Sequence, residues 1–433
     1  MHGRGRPERH HAKQAPHVTP AEDIPWLTDS PWMDAARGAN LLGADGSLGT
    51  TIFEEMTGLA VRHQAINLGQ GFPDEDGPGP IRELAQEAIA RGENQYAPGK
   101  GILTLREAIA GHQHRFYGIG LDPETQVVVT TGATEAIAAA ILAVVRPGDE
   151  VVTFEPFYDS YGAMIALAGG VHRTVPLRAP DFQPDPEELA AAFGPRTRLV
   201  ILNNPHNPCG VVFGTEVLDL IVEQATRHDA VILSDEVYEH LTFGVPHVPV
   251  ATRPGAFDRT LTVSSAGKTF SFTGWKVGWL SGPAPLVAAV RTVKQFLSYS
   301  SGTPFQGAVA SALNLDDSLY RGFAETLRGK RDLLSDGLRA AGFTVYEPQG
   351  TYFVTVDTAP LGFHDAAALA RLMPERIGVA AIPLSVFCHD DGARRTASLL
   401  RFAFCKREPV LREAVARLGG LSEALGQPSA VSR

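Results

Sequence analysis

From residue 127 onward, short apolar runs alternate with longer amphipathic ones. VVVT (127–130), VVTFEP (151–156), TRLVILNNP (197–205), AVILSDEVY (230–238) and LTVSS (261–265) are short and almost continuously apolar. That pattern suits strands buried on both faces of a sheet. KVGWLSG (276–282) completes the set. Between the runs lie EAIAAAILAVV, YDSYGAMIALAG and the stretch from Thr215 to Arg227, which have helical spacing. Strands separated by helices predict an α/β fold, a mostly parallel sheet with helices on both faces.

Upstream, residues 50–59 predict a short helix. INLGQGFP (66–73) predicts a strand entering a glycine-rich turn, where Gly69 and Gly71 allow close backbone approach or simply form a turn. Residues 81–91 predict a helix with Ile81, Leu84, Ala88 and Ile89 on one side, and a second helix follows from Leu103 to about Phe116. After a long helical stretch, about 284–341, the pattern changes. FTVYEPQGTYFVTVD, VAAIPLSVF and LLRFAFC predict strands around the helix DAAALARLM, a smaller α+β unit. The strand near residue 66 is expected to join it. The expected division is a disordered extension at 1–45, in which Trp26 and Trp32 rest on the body. An N-terminal arm and part of the small domain follow at 46–80, a large domain at 81–315, a C-terminal small domain at 316–420 and a tail at 421–433.

Composition narrows the function. The 433 residues carry a net charge of −10, which opposes nonspecific nucleic-acid binding. No run of about 18 apolar residues exists, so no membrane-spanning helix is expected. Cys209, Cys388 and Cys405 form no CxxC, and a reducing cytoplasm is the expected setting. The basic start, MHGRGRPERHHAKQAPH, has no following apolar region, so no secretory signal is expected. His10 and His11 are read as part of a solvated tail and not as metal ligands.

The candidate chemistry gathers at the carboxyl ends of the strands, where such sheets bind ligands. Gly132-Ala133-Thr134 opens a helix and suits an anion. Phe157 follows VVTFEP and suits either ring stacking or core packing. Asn207, in the stiff turn NNPHNPCG, suits donation to a phenolate oxygen or a helix cap. Asp235 closes an apolar strand, where burial demands a cationic partner such as a protonated pyridine nitrogen. Tyr238 reaches the other side of the same ring. In SSAGKTFSFTGWK, Lys268 sits among small and aromatic residues; burial lowers a lysine pKa and makes it a Schiff-base nucleophile. Lys276 and Ser265 suit a phosphate. In LLRFAFC, alternation sets Arg401 with Ala403 and Cys405, opposite Leu400, Phe402 and Phe404, as a fork for a carboxylate. The ordered set describes one ligand, pyridoxal 5′-phosphate.

With INLGQGFPDEDGPGP, NQYAPGKG, TTGATEAI, EPFYDSY, NNPHNPCG, SDEVYEHL, SSAGKTFSFTGWKVGW, QGTYFVTVD, GVAAIPLSVFC and RFAFCKRE in hand, the chain resembles the fold-type-I, class I/II aminotransferases over about residues 50–420. It is most similar to the group holding kynurenine, glutamine-K and methionine aminotransferases and the actinobacterial N-succinyldiaminopimelate aminotransferases. The resemblance implies a transaminase that moves an amino group from an amino acid to a 2-oxo acid such as 2-oxoglutarate, by a ping-pong route. It implies that Lys268 carries the cofactor, Asp235 meets the ring nitrogen, and Asn207 and Tyr238 meet the ring oxygen. Phe157 would stack on the ring, while Ala133, Thr134, Ser265 and Lys276 would hold the phosphate. Arg401, with the Gly71 amide and Asn207, would bind the substrate carboxylate. It also implies a homodimer in which Tyr96, and by the same logic Tyr299, reach the neighbouring site.

Two departures bear on substrate. The extension before residue 45 has no counterpart in the family pattern, and Thr50-Thr51-Ile52-Phe53 replaces a region where many relatives carry tryptophan. Kynurenine, methionine, glutamine, aromatic amino acids and N-succinyl-diaminopimelate all remain open as donors. The alternative on the same cofactor is a cysteine-conjugate β-lyase. Ser265-Ala-Gly-Lys268 also fits the S-x-x-K of acylating enzymes, but the S-D-N and K-T-G partners are missing. A cofactor-sensing regulator would need a DNA-binding appendage, for which the first 45 residues are too short.

Overall fold

The computed structural model describes residues 30–42 and 46–424. The readings of His10, His11, Trp26 and the last nine positions lie outside the described residues.

The described residues form thirteen strands. They are β1 (Ile66–Asn67), β2 (Val127–Thr131), β3 (Glu150–Glu155), β4 (Val171–Pro176), β5 (Thr197–Asn203), β6 (Val231–Asp235), β7 (Thr260–Ser265), β8 (Val277–Ser281), β9 (Thr344–Tyr346), β10 (Phe353–Asp357), β11 (Val379–Ala380), β12 (Ile382–Pro383) and β13 (Leu399–Ala403). Seven of them form one sheet in the order β2-β8-β7-β6-β5-β3-β4. Every neighbouring pair is parallel except those made by β8, which runs antiparallel to both β2 and β7. The continuous apolar runs of the central strands follow from helices covering both faces. On one side Ile137, Ile141, Ile165 and Val290 meet Leu199, Leu233 and Val263. On the other, Leu218, Ile221, Val222 and Ala225 of the helix Thr215–Arg227 meet Val200, Leu202 and Ile232.

The C-terminal unit is the antiparallel sheet β12-β13-β10-β9. β1 pairs in parallel with β11, Ile66 against Val379, so a residue-66 strand is built into the C-terminal packing. Their shared core includes Met56, Leu68, Leu334, Val354, Val356, Leu400, Phe402 and Phe404.

Several expectations need correction. Residues 31–38, placed in a disordered extension, form the helix Pro31–Gly38. It packs on the helix Asp159–Leu167 at two glycines, where a Cβ on Gly38 would lie 2.3 Å from the Gly162 carbonyl oxygen. Only Ala36 of this helix is buried, and at eight residues it is short. Residues 421–424, placed in a tail, form a short helix whose Leu421 is buried in the C-terminal core. β4 was not foreseen: it is an edge strand, and VHRTVP mixes polar and apolar positions. The stretch 379–387 is two two-residue strands and a helical turn, and 284–341 is three separate helices.

Candidate active site

A cavity of about 230 Å³ opens where β2, β5, β6 and β7 end, and is lined by Ala133, Thr134, Tyr158, Asn207, Asp235, Tyr238, Ser265, Lys268 and Lys276 among others. Most sit at a strand's last residue or in the segment that follows it, while Lys276 stands just before β8. Ala133 and Thr134 stand in the first turn of the helix Gly132–Val144, where backbone N–H groups lack intrahelical partners. Lys268 sits in the four-residue helix Ala266–Thr269, which Ser265 precedes at the end of β7. Lys276 takes φ +53°, in the left-handed region, and its Nζ lies 3.3 Å from where a Cβ on Gly132 would be. Gly132 itself has φ +70°, so a side chain there would be both strained and obstructive.

The turn after β6 divides its polar residues between two sides. Asp235 and Tyr238 face the cavity. Glu236 turns away to accept from Ser234 Oγ at 2.7 Å and to pair with His247 Nε2 at 2.9 Å, and Glu239 accepts from Ser264 Oγ at 2.6 Å.

The cavity holds charges of both signs that do not neutralise one another. Asp235 Oδ2 accepts from the Tyr161 hydroxyl at 2.6 Å, yet burial pushes its pKa up to about 6. Burial brings Lys268 down to about 8, partly opposed by neighbouring Cys405 and Asp235. Arg401 is 2% exposed, and burial lowers it to about 10. Its guanidinium donates to Asn207 Oδ1 at 3.0 Å and to the Gly69 carbonyl at 2.9 Å, and lies 4.0 Å from the Phe353 ring centre. Its Nε has no partner. Among the described residues, Lys276, Asp235 and Arg401 form no ion pair. An unneutralised cation beside a helix start, a buried acid and a guanidinium with a spare N–H fit a ligand with a phosphate, a protonatable ring and a neighbouring carboxylate.

Five expected residues lie outside the cavity lining. Phe157 is a correction. It is buried against His172 and His389, with ring centres 4.7 and 5.0 Å away, and its N–H donates to the Phe387 carbonyl at 2.8 Å. The next residue, Tyr158, presents its ring to the cavity instead. Gly71 and Arg401 stand beside the cavity, reached through Asn207 and the 69–71 loop. A Cβ on Gly71 would lie 2.4 Å from the Phe353 ring, which requires glycine there. Tyr96 and Tyr299 do not reach this chain's own cavity. They pack edge to face, 5.6 Å between ring centres, and Tyr96 is 82% exposed. Buried Lys294 bonds both the Gly99 and Tyr299 carbonyls and so ties their two loops together.

Three tyrosines were not singled out. Tyr158 and Tyr161 lie in EPFYDSY, where spacing does not tell adjacent aromatic residues apart. Tyr352 accepts from Lys268 Nζ at 2.8 Å, and no spacing along the chain links residues so far apart.

A larger depression, about 1030 Å³, lies between Asp34 and Arg395. Its arginines pair with acids of its own wall, as Arg395 with Glu155 at 2.8 Å and Arg37 with Asp34 at 2.7 Å.

Residues 63–418 match the family model for aminotransferase class I and II. The chain is 50% identical over 386 residues to the probable N-succinyldiaminopimelate aminotransferase DapC of Mycobacterium tuberculosis, covering 86% of this chain and 96% of the relative. It is 44% identical over 372 residues to the methionine aminotransferase of Escherichia coli, with 86% and 96% covered. The solved N-succinyldiaminopimelate aminotransferase from Mycobacterium tuberculosis superposes with a TM-score of 0.84 at 51% identity, over 86% of this chain and 97% of that one.

Proposed function

The chain belongs to the class I and II aminotransferases and is a transaminase of amino acids, and from that premise we propose that it works through pyridoxal 5′-phosphate held by Lys268. The observation that carries this is the convergence of a buried lysine, a buried acid and a buried arginine, none of them in an ion pair among the described residues. When bound, the cofactor supplies a protonated ring that accepts electron density from the substrate Cα.

The chain's own residues supply the rest. The Ala133 and Thr134 amides, Ser265 and Lys276 hold the phosphate. Tyr158, not Phe157, packs on the ring, and Asn207 and Tyr238 meet its oxygen. Asp235 keeps the ring nitrogen protonated, and Tyr161 fixes the orientation of that carboxylate. Arg401 grips the substrate α-carboxylate, with Asn207 and the Gly71 amide beside it. Lys268 Nζ would take the proton from the substrate Cα and hold it for return. A pKa near 8 leaves roughly a tenth of the amine neutral at pH 7, against less than a thousandth for an ordinary lysine.

The donor we favour is of the N-succinyl-diaminopimelate kind, on the strength of the 50% identical relative. Elimination of a β-substituent, the alternative weighed from the sequence, has no observation behind it and is not proposed. Tyr96 and Tyr299 favour a homodimer, since Tyr96 is 82% exposed and packs on Tyr299 away from its own chain's cavity. Among the described residues no helix is long and apolar enough to cross a membrane, and all three cysteines are unpaired and buried, which supports a cytoplasmic setting.

A half-reaction screen tests the reading. The cofactor-loaded protein is mixed with N-succinyl-diaminopimelate, methionine, kynurenine or glutamine, and the visible absorption of the bound cofactor is followed. We expect a donor-dependent loss of that band with release of a 2-oxo acid, and no band in Lys268→Ala. A Lys268→Ala protein that keeps band and turnover refutes the assignment.

A further inference from the structure

The Tyr352 hydroxyl joins two parts of the site that are far apart in the chain. It accepts from Lys268 Nζ at 2.8 Å and donates to the Gly71 carbonyl at 2.6 Å. Its ring is 1% exposed and packs edge-on to Tyr238, 5.3 Å between centres. Gly71 lies two residues from Gly69, whose carbonyl takes a hydrogen bond from Arg401. One hydroxyl therefore links the reactive amine to the loop that braces the arginine. Lys268 and Tyr352 also share a second cavity, about 90 Å³, so the amine stands between two spaces.

We propose that Tyr352 is the positioning residue for the free amine of Lys268, holding Nζ in register with the Gly69–Gly71 loop whenever the lysine is off the cofactor. The proposal rests on the reading that Lys268 is the cofactor lysine. Its logic is the arithmetic of donors. A phenol has one proton, and Tyr352 commits it to Gly71. The oxygen then offers Nζ only lone pairs, so an N–H of the lysine points at Tyr352 and the nitrogen lone pair is kept off that contact, among the directions left for the reaction. The same contact serves the ammonium form, which also donates. Burial and the adjacent Tyr238 hold the Tyr352 proton on, pushing its pKa well above the ordinary phenol value, so it positions and does not exchange protons.

Tyr352→Phe keeps the ring packing and removes the oxygen. The first measurement uses full-length protein freed of cofactor. Pyridoxal 5′-phosphate is added with borohydride across a pH series, and the labelled peptide is mapped. Wild-type labelling at Lys268 is expected to rise with a midpoint near 8. The variant leaves a buried ammonium without its acceptor, so its midpoint is expected to fall by about one unit. The second measurement is kcat of the cofactor-loaded variant, expected to fall about tenfold as the amine loses its orientation. A merely structural role would lower thermal stability and leave both readings alone. If labelling stays on Lys268 and either the midpoint or kcat holds at the wild-type value, the inference is wrong while the site reading survives. Labelling at another lysine overturns both.

Discussion

Replacing Arg401 by lysine isolates the carboxylate fork from the charge. In the folded chain the guanidinium spends one arm on Asn207 Oδ1 and another on the Gly69 carbonyl, and its face lies 4.0 Å from the Phe353 ring centre. An ammonium keeps the charge, but it is a point donor that cannot brace itself on two fixed acceptors and grip a carboxylate with parallel N–H groups. The loss is at least one charge-assisted hydrogen bond, about 1.5–3 kcal/mol, plus part of the ring contact, about 0.5–1 kcal/mol. The sum, about 2–4 kcal/mol, corresponds to roughly a 30- to 1000-fold fall in kcat/KM. The loss should appear equally for donor and acceptor, because both carry the α-carboxylate. It should vanish for an amine analogue that lacks the carboxylate. The bound cofactor's absorption should be unchanged, since Arg401 lies outside the cofactor cavity lining. Stopped-flow half-reactions in both directions give the numbers. A kcat/KM within threefold of wild type, or an equal loss with the decarboxylated analogue, refutes the assignment of this arginine.

Asp235→Asn should reveal a buried acid in the cofactor-free protein. The folded pKa, raised by burial to about 6, exceeds the usual carboxylate value of 3.8. The folded state therefore binds the proton more tightly, and that stability is present below about pH 4 and is lost as pH rises through 6. The full difference is at most about 3 kcal/mol, so the variant's melting temperature should gain on wild type between pH 4 and 7; parallel curves would contradict this. Tyr158→Ala should weaken cofactor affinity about 10- to 100-fold, whereas Phe157→Leu should cost about 1 kcal/mol of stability and leave affinity within threefold; the reverse ranking, by equilibrium dialysis, would restore Phe157 to the ring. Inactive Tyr96→Ala and Lys268→Ala proteins, refolded together, should regain about a quarter of wild-type activity, because a mixed dimer holds one intact shared site. No recovery would place Tyr96 within its own chain's function or outside function altogether.

The sheet was legible because its central strands are buried on both faces and so carry unbroken apolar runs, as in TRLVILN and VVTFE. The cavity's charged residues were legible for a related reason. An acid at the end of AVILSD or a lysine in SSAGKTF contradicts its surroundings, and chemistry is the usual resolution of such a contradiction. What escaped has the opposite character. The helix Pro31–Gly38 is only eight residues long and is held by a close approach of two glycines, a contact that sequence spacing does not reveal. Phe157 and Tyr158 are adjacent aromatics after a strand, and which of them turns toward the ligand depends on His172 and His389, which fill the space behind. Spacing along the chain cannot decide that.

Tyr352 shows why the lysine and the arginine cannot be assigned separately. β10 begins at Phe353, whose ring lies on Arg401, and the residue just before it touches Lys268. Adjacent positions thus contact the two groups that, on the proposed reading, act on one substrate, one at its carboxylate and one at its Cα proton. The 69–71 loop accepts from both sides of this arrangement, at Gly71 from Tyr352 and at Gly69 from Arg401. On the proposed reading, a substrate held at Arg401 would be presented to an amine positioned from the same strand. The orientation between carboxylate grip and proton transfer would then rest on the paired strands β10 and β13, which bring Phe353 and Arg401 into one sheet.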